Sequence, residues 1–457
     1  MKGGKLMEKL TDLEIVNQIA LAVDKNGGQT FFVGGYVRDL LFGFESKDVD
    51  IEIHGIAPSV LEEIIDNVGE RITIGESFGI YSLKGYNVDI AMPRKEKVKG
   101  LGHKDFDVIV DPYSGTMQAA MRRDFTINSI MKNALTGEIV DHFNGIDDLK
   151  KGIIRHVNDL TFSDDPLRVL RAAQFSARFG FNVAEETIKL CQKMDLTQLS
   201  SERVTEELKK ALLKSNKPSI FFKVLKDMKQ LDYWFKEVED LIGVMQNPVH
   251  HSEGDVWTHT MMVLDEAIKY RDKVNNPFGF MLSCITHDFG KTVTTKIIDG
   301  VIRSYNHDIE GVPIAIKFMK RLTNEVNLIK LVSNLTEYHM RPNILASNNS
   351  SIKATNKMFD LAIDPLALIS LAMSDSRGKI SQYPYISYDE YLYQRIETYY
   401  QYMSEPYVTG QDLIGAGLTP SKDFSKILEY AHKLRLAGVN KKEALKQTLT
   451  YSKRFNK

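Results

Sequence analysis

Phe31 to Glu52 reads FFVGGYVRDLLFGFESKDVDIE, and the fold of the chain is decided there. A β-prone run, Phe31-Phe32-Val33, stops at Gly34-Gly35, and a helical segment opens at Tyr36. Glycines at such a junction let backbone N–H groups close on an anion, and the helix N-terminus adds its dipole. Arg38, in the first turn, can fork onto a phosphate. A little further on, Asp48-Val49-Asp50 begins a second β-run. Positions i and i+2 of a strand share a face, so both carboxylates aim at one point while Ile51 and Ile53 take the other side. Two like charges side by side on a strand are unfavourable unless a cation sits between them. Oxygen ligands select hard divalent ions, and Mg²⁺, which also holds phosphates, fits best.

The neighbouring sequence extends this pattern. Ile80–Leu83, Tyr86–Ala91 and Asp107–Val110 are short β-runs, and Ser59–Val68 carries apolar residues at helical spacing. Gln29 to about Asp148 therefore reads as α/β. Asp89 interrupts one of these runs and supplies a third carboxylate. Two metals about 3.5–4 Å apart, held by Asp48, Asp50 and Asp89, would clamp the attacking and leaving oxygens of a phosphoryl or nucleotidyl transfer. Arg122-Arg123-Asp124-Phe125-Thr126-Ile127-Asn128 groups two guanidiniums, a carboxylate and an amide. That inventory suits triphosphate and ribose contacts, although a salt-bridged turn would use the same residues.

Past Asp164 the texture becomes helical. Pro166 suits a first turn, and Asp165, Arg168 and Arg171 fall at i, i+3 and i+6 on one face. Asp accepts and Arg donates, which complements the amino group and ring nitrogen of cytosine or adenine. Uracil and guanine present the reverse order and would leave buried groups unpaired. An intrahelical ion pair is the plainer use of the same three residues.

The whole chain frames these motifs. Its 457 residues allow two to four domains at roughly 150 residues each. Lys+Arg 59 against Asp+Glu 60 gives a net charge of −1, so no global field points to nucleic acid. Local patches do: residues 201–230 hold eight basic and four acidic side chains, and residues 421–457 hold ten and three. Two cysteines cannot staple a chain of this length. Met1–Leu10 has no apolar core of a signal peptide, and the apolar stretches are too short for a membrane span. The expectation is a cytoplasmic protein with no membrane contact and no obligate protein partner.

The runs VGGYVRDLLFG, DVD, VDIAMPR, RRDFTINSI and DDPLRVLRAAQFSARFGF, in that order, resemble bacterial class II tRNA nucleotidyltransferases, the CCA-adding enzymes and their poly(A) polymerase relatives. The resemblance implies an α+β fold. It has a polymerase-beta-like head, a mixed sheet with helices, at residues 1–150. An all-helical neck (151–245), an HD-type body (246–380) and a tail (381–457) follow. It also implies tRNA 3′ ends as partner, CTP and ATP as substrates, and Mg²⁺ on Asp48 and Asp50, with Asp89 as third acid. Gly34, Gly35, Arg38 and Arg123 then take the triphosphate, and Asp165 and Arg168, with Arg171 nearby, read the base. Gln174 stands where several members carry another arginine. The segment from Arg94 to Asp105, with Gly100 and Gly102, resembles the family's flexible loop. An A-adding enzyme or a poly(A) polymerase shares the same short motifs.

A second constellation lies downstream. His259, His287-Asp288, His307-Asp308 and His339 stand in a helical, apolar-patterned stretch, and Asp375 follows. Imidazole with carboxylate suits a divalent transition metal. The pattern resembles the HD phosphohydrolase superfamily, which implies His259, His287, Asp288 and Asp375 as ligands and phosphatase or cyclic phosphodiesterase activity. On that reading the HD site could itself carry the main function.

Overall fold

The computed structural model describes residues 10–44, 48–75, 79–98 and 106–455. The chain divides into two compact units, one of residues 1–200 with 223–230, the other of residues 201–222 with 231–457.

In the first unit, β1 (Gln29–Phe32) and β2 (Val49–His54) pair antiparallel, with helix α1 (Asp12–Lys25) before them and α2 (Gly34–Leu41) between them. Helix α3 (Pro58–Val68) leads to β3 (Arg71–Gly75), β4 (Ile80–Leu83) and β5 (Val88–Ala91). A hairpin of β6 (Arg94–Val98) and β7 (Phe106–Val110) comes next, then β8 (Met131–Asn133) and β9 (Ile139–Val140). Among the described residues the main sheet runs β3-β4-β5-β2-β1-β8-β9. All its pairings are antiparallel except β2 with β5, which makes the sheet mixed. That parallel pair carries two of the candidate carboxylates, since its register sets Asp50 beside Asp89.

The core follows from the alternation in the sequence. Val49, Ile51 and Ile53 are buried on one face of β2. They pack with Ile15, Ile19 and Val23 of α1 and with Leu61, Ile64 and Ile65 of α3. Each such side chain contributes about 1.5–3 kcal/mol on burial. Thr11 and Glu14 close a capping box that fixes where α1 begins. Helix α2 starts at Gly34, two residues earlier than the sequence expectation, because Gly34 adopts φ +64° and turns the chain out of β1. Of the segment Arg94 to Asp105, Arg94–Val98 is a strand and residues 99–105 lie outside the described residues.

The second unit is built of helices with a short hairpin, Lys296–Ile298 against Val301–Arg303. Pro277–Thr286 is its central one, buried at every position after the proline, as its all-round apolar sequence requires. Around it pack Val256–Arg271, Val326–Tyr338 and Pro365–Arg377. Asp255, Asn276 and Asp364 each cap a helix by accepting a first-turn N–H, so the ends of these helices are set by side chains. No helix among the described residues is long and apolar enough to cross a membrane.

Candidate functional site

The site of the first unit forms where α2 leaves β1 across from β2. Among the described residues no side chain caps the N-terminus of α2, which leaves its first-turn N–H groups available to an anion. Gly34 is needed there twice over. Its φ is positive, and a Cβ would sit 3.3 Å from Arg123 Nη1 and 3.5 Å from Asp50 Oδ2. Asp50, Glu52 and His54 share the face of β2 turned away from the core. Glu52 binds His54 Nε2 at 2.9 Å through one oxygen and Arg123 Nη2 at 3.1 Å through the other. Burial works to raise the Glu52 pKa, but the His54 hydrogen bond and the Arg123 charge outweigh it and hold the carboxylate ionised. Arg123 is thereby fixed beside Asp50. Burial raises the Asp50 pKa, Arg123 opposes, and the neighbouring charges of Asp89 and Asp48 raise it further. A divalent cation would relieve that repulsion. Asp89 is exposed and accepts from Ser82 Oγ at 2.5 Å.

A buried polar chain ties the rest of the motifs together. Arg38 is only 4% exposed. Its Nε and Nη2 donate to Asp39 Oδ1 at 2.8 and 2.6 Å, and its Nη1 donates to Asn128 Oδ1 at 2.7 Å. Two of its five N–H groups remain for a ligand. Asn128 donates to Asp124 Oδ1 at 3.0 Å, and Asp124 Oδ2 accepts from Arg171 Nε at 2.8 Å. Arg171, expected at the base-reading face, is thus held by Asp124. Arg168 donates to the carbonyls of Thr161 and Arg122, and Asp165 accepts from Leu167 N at 3.1 Å at the start of the helix Leu167–Phe179. Gln174 is buried in the same helix.

The second unit gathers its histidines from helix ends. His287 and His339 are the residues just after Pro277–Thr286 and Val326–Tyr338, and His307 opens His307–Leu322. Each places its Nδ1 2.7–2.9 Å from the carbonyl three residues back: Cys284, Thr336 and Ser304. A carbonyl only accepts, so each Nδ1 carries a proton, and each Nε2 is turned toward Asp288. The three Nε2 atoms lie 3.3, 3.4 and 3.9 Å from Asp288 for His287, His307 and His339, buried and without a hydrogen-bond partner. Burial, then His287 and His307, pull His339 down to about 3, so it is neutral near pH 7. His259 bridges two carboxylates, with Nε2 3.0 Å from Asp375 and Nδ1 3.1 Å from Glu253. Burial would lower its pKa, but Asp375 and Glu253 raise it to about 9. Burial would raise Asp288, yet Lys291, at 2.7 Å, and His287 hold it well below the usual carboxylate range. Gly290 allows the approach, because a Cβ there would overlap the His307 carbonyl.

Ligand atoms of His259, His287 and Asp288 lie within 4.8 Å of one another, as do those of Asp288, His307 and His339 and those of His251, Glu253 and His259. Three buried Nε2 atoms around one carboxylate fit a divalent metal. The sequence analysis named His259, His287, Asp288 and Asp375, and these come together. It did not assign His307, His339, His251 or Glu253 as ligands. The pairs His307-Asp308 and Tyr338-His339 were visible as signals, but no spacing in the sequence pointed to Glu253. In the first unit it passed over Glu52 and His54, which the strand period places on the face of Asp50.

Residues 30–155 match the Poly A polymerase head domain family, and residues 180–242 match the family described as the probable RNA and SrmB-binding site of polymerase A. The multifunctional CCA protein of Actinobacillus pleuropneumoniae serotype 5b (strain L20) is 35% identical over 68% of this chain and 75% of its own length. That of Hahella chejuensis (strain KCTC 2396) is 32% identical over 86% and 92%. The fold is similar to a CCA-adding enzyme in apo form II, with a TM-score of 0.67 and 22% identity over 96% of both chains. It is also similar to the Thermotoga maritima CCA-adding enzyme complexed with tRNA, with a TM-score of 0.64 and 21% identity over 96% of this chain and 95% of that one.

Proposed function

The chain belongs to the family of multifunctional CCA proteins, and from that premise we propose that it adds C, C and A to tRNA 3′ ends from CTP and ATP. The 3′-hydroxyl oxygen bonds to the α-phosphorus, the bond from that phosphorus to the bridging oxygen breaks, and pyrophosphate leaves. Asp48, Asp50 and Asp89 hold the divalent ion, for which Mg²⁺ is the assignment. Bound there, it would activate the hydroxyl and neutralise charge on the departing pyrophosphate. Gly34, Gly35 and the α2 N-terminus receive the triphosphate, with Arg123, steadied by Glu52, and the remaining donors of Arg38. Asp165 and Arg168 face the base, and Arg171 supports that helix through Asp124. The observation that carries the reading is the register of Asp50 with Asp89 beside the open end of α2.

The second unit supports a metal-dependent phosphohydrolase. His259, His287, Asp288, His307, His339 and Asp375 hold a divalent transition metal, which would supply an activated water for attack on a phosphoester. Lys291, 2.7 Å from Asp288, places a positive charge where a phosphate oxygen arrives. Single substitutions separate the two centres. Asp50→Ala abolishes nucleotide incorporation and spares phosphoester hydrolysis, while Asp288→Ala does the reverse. Incorporation by the Asp50 variant, or hydrolysis by the Asp288 variant, contradicts the corresponding assignment.

A further inference from the structure

Strand β2 carries a further carboxylate, Glu52, on the same face as Asp50. It is only 6% exposed, and a carboxylate buried there is costly unless both its oxygens are satisfied. Two different partners satisfy them. His54, also buried and set edge-on to the Phe31 ring with centroids 5.4 Å apart, donates to one oxygen from Nε2. Arg123 donates to the other from Nη2. The imidazole fixes how the carboxylate lies, and the carboxylate fixes where the guanidinium lies.

The position of Arg123 matters to Asp50. Arg123 Nη1 and Asp50 Oδ2 flank the same small space over Gly34, 3.3 and 3.5 Å from the point a Cβ would take. Asp50 already feels Arg123 as a charge that opposes the burial-driven rise of its pKa. Packing leaves the guanidinium room to turn: 29% of the Arg123 side chain is exposed, and a cavity of about 200 Å³ borders both Arg123 and Glu52. A guanidinium with that freedom forks onto a carboxylate within reach, and lone pairs spent on it are not available to a metal. Arg123 and a divalent ion are therefore competitors for Asp50.

We propose that Glu52, oriented by His54, is a positioning residue for the metal site of the first unit. By engaging Arg123 it keeps that guanidinium off Asp50 and leaves the carboxylate open to a divalent cation. The proposal rests on the assignment of Asp50 and Asp89 as ion ligands. In Glu52→Gln a single carbonyl oxygen faces two donors and the ion pair is gone, so Arg123 turns to Asp50. A charge-assisted bond must then break before the ion binds, which raises the half-saturating ion concentration about tenfold.

The test reads ion occupancy rather than turnover. The full-length protein is treated with Fe²⁺, ascorbate and peroxide, whose radicals cut the backbone beside a bound ion, and the fragments are mapped by mass spectrometry. Cuts near residues 48–50 and 89, suppressed by added Mg²⁺, are expected in the wild type. Their absence removes the ion assignment, and the proposal with it. Glu52→Gln is expected to need the higher Fe²⁺ concentration for equal cutting, and an unchanged requirement overturns the proposal. The double variant Glu52→Gln/Arg123→Ala separates positioning from structural damage. With the competitor removed, cutting returns at the wild-type Fe²⁺ concentration or below, whereas a requirement as high as that of Glu52→Gln overturns the proposal. Arg123→Ala alone keeps the test independent of whether Glu52→Gln folds. It is expected to be cut at no more Fe²⁺ than the wild type needs, and a higher requirement contradicts competition between Arg123 and the ion.

Discussion

Asp124 shows what the buried carboxylates of the first unit do. It accepts from Arg171, Asn128 and the Phe125 N–H, and through Asn128 it reaches Arg38. Burial would raise its pKa, but Arg171 and these hydrogen bonds outweigh that and lower it. A lowered folded value means that its stabilisation is complete above the unfolded value, about pH 4, and is lost as pH falls through the folded one. Asp124→Asn is therefore expected to cost about 2 kcal/mol at pH 7. It should also flatten the loss of thermal stability on acidification below about pH 4. Thermal midpoints of both proteins from pH 3 to 7 check this, and identical curves contradict it. In the sequence, Arg122 to Asn128 fits equally an inventory of ligands and a salt-bridged turn. That Asp124 and Asn128 are spent inside the protein follows from their burial, which a turn sequence does not announce. Glu52 was more accessible to sequence reasoning, since it sits two residues from Asp50 on the same strand face.

At the scale of elements, legibility tracks periodicity. The strand from Val49, the helix from Pro58 and the helix from Leu167 all alternate or repeat in ways that a buried face imposes. β6, Arg-Lys-Glu-Lys-Val, has no such pattern and owes its extended form to pairing with β7. The histidine and carboxylate cluster was half legible for a related reason. His259 and His287-Asp288 stand in apolar helical sequence, whereas Glu253 belongs to a turn whose partner at Ile380 lies 127 residues away. The helix-end arrangement of His287, His307 and His339 makes a prediction of its own. Three buried Nε2 atoms without a hydrogen-bond partner among the described residues carry a desolvation cost, and a bound ion would remove it. Adding Mn²⁺ or Ni²⁺ at about a hundred times its Kd is expected to stabilise the second unit by about 2.7 kcal/mol. A chelator reverses the shift, and His339→Ala reduces it. A melting curve indifferent to both ions contradicts a metal site there.

For the whole molecule, a net charge of −1 conceals the basic runs at 201–230 and 421–457. Phosphate contacts from such surfaces release counterions, so raising salt from 50 to 200 mM should weaken tRNA binding more than about tenfold. CTP binding, which we assign to the pre-set end of α2, should change far less. Equal salt dependence of the two titrations contradicts that division of labour. The most direct test of the central claim supplies purified protein and Mg²⁺ with tRNA transcripts ending at the discriminator base or at CC. CTP, ATP or both are added, and the 3′ ends are sequenced. Completion to CCA followed by arrest is expected on both transcripts. Addition of A to the CC transcript alone, long A tails, or no addition would contradict it.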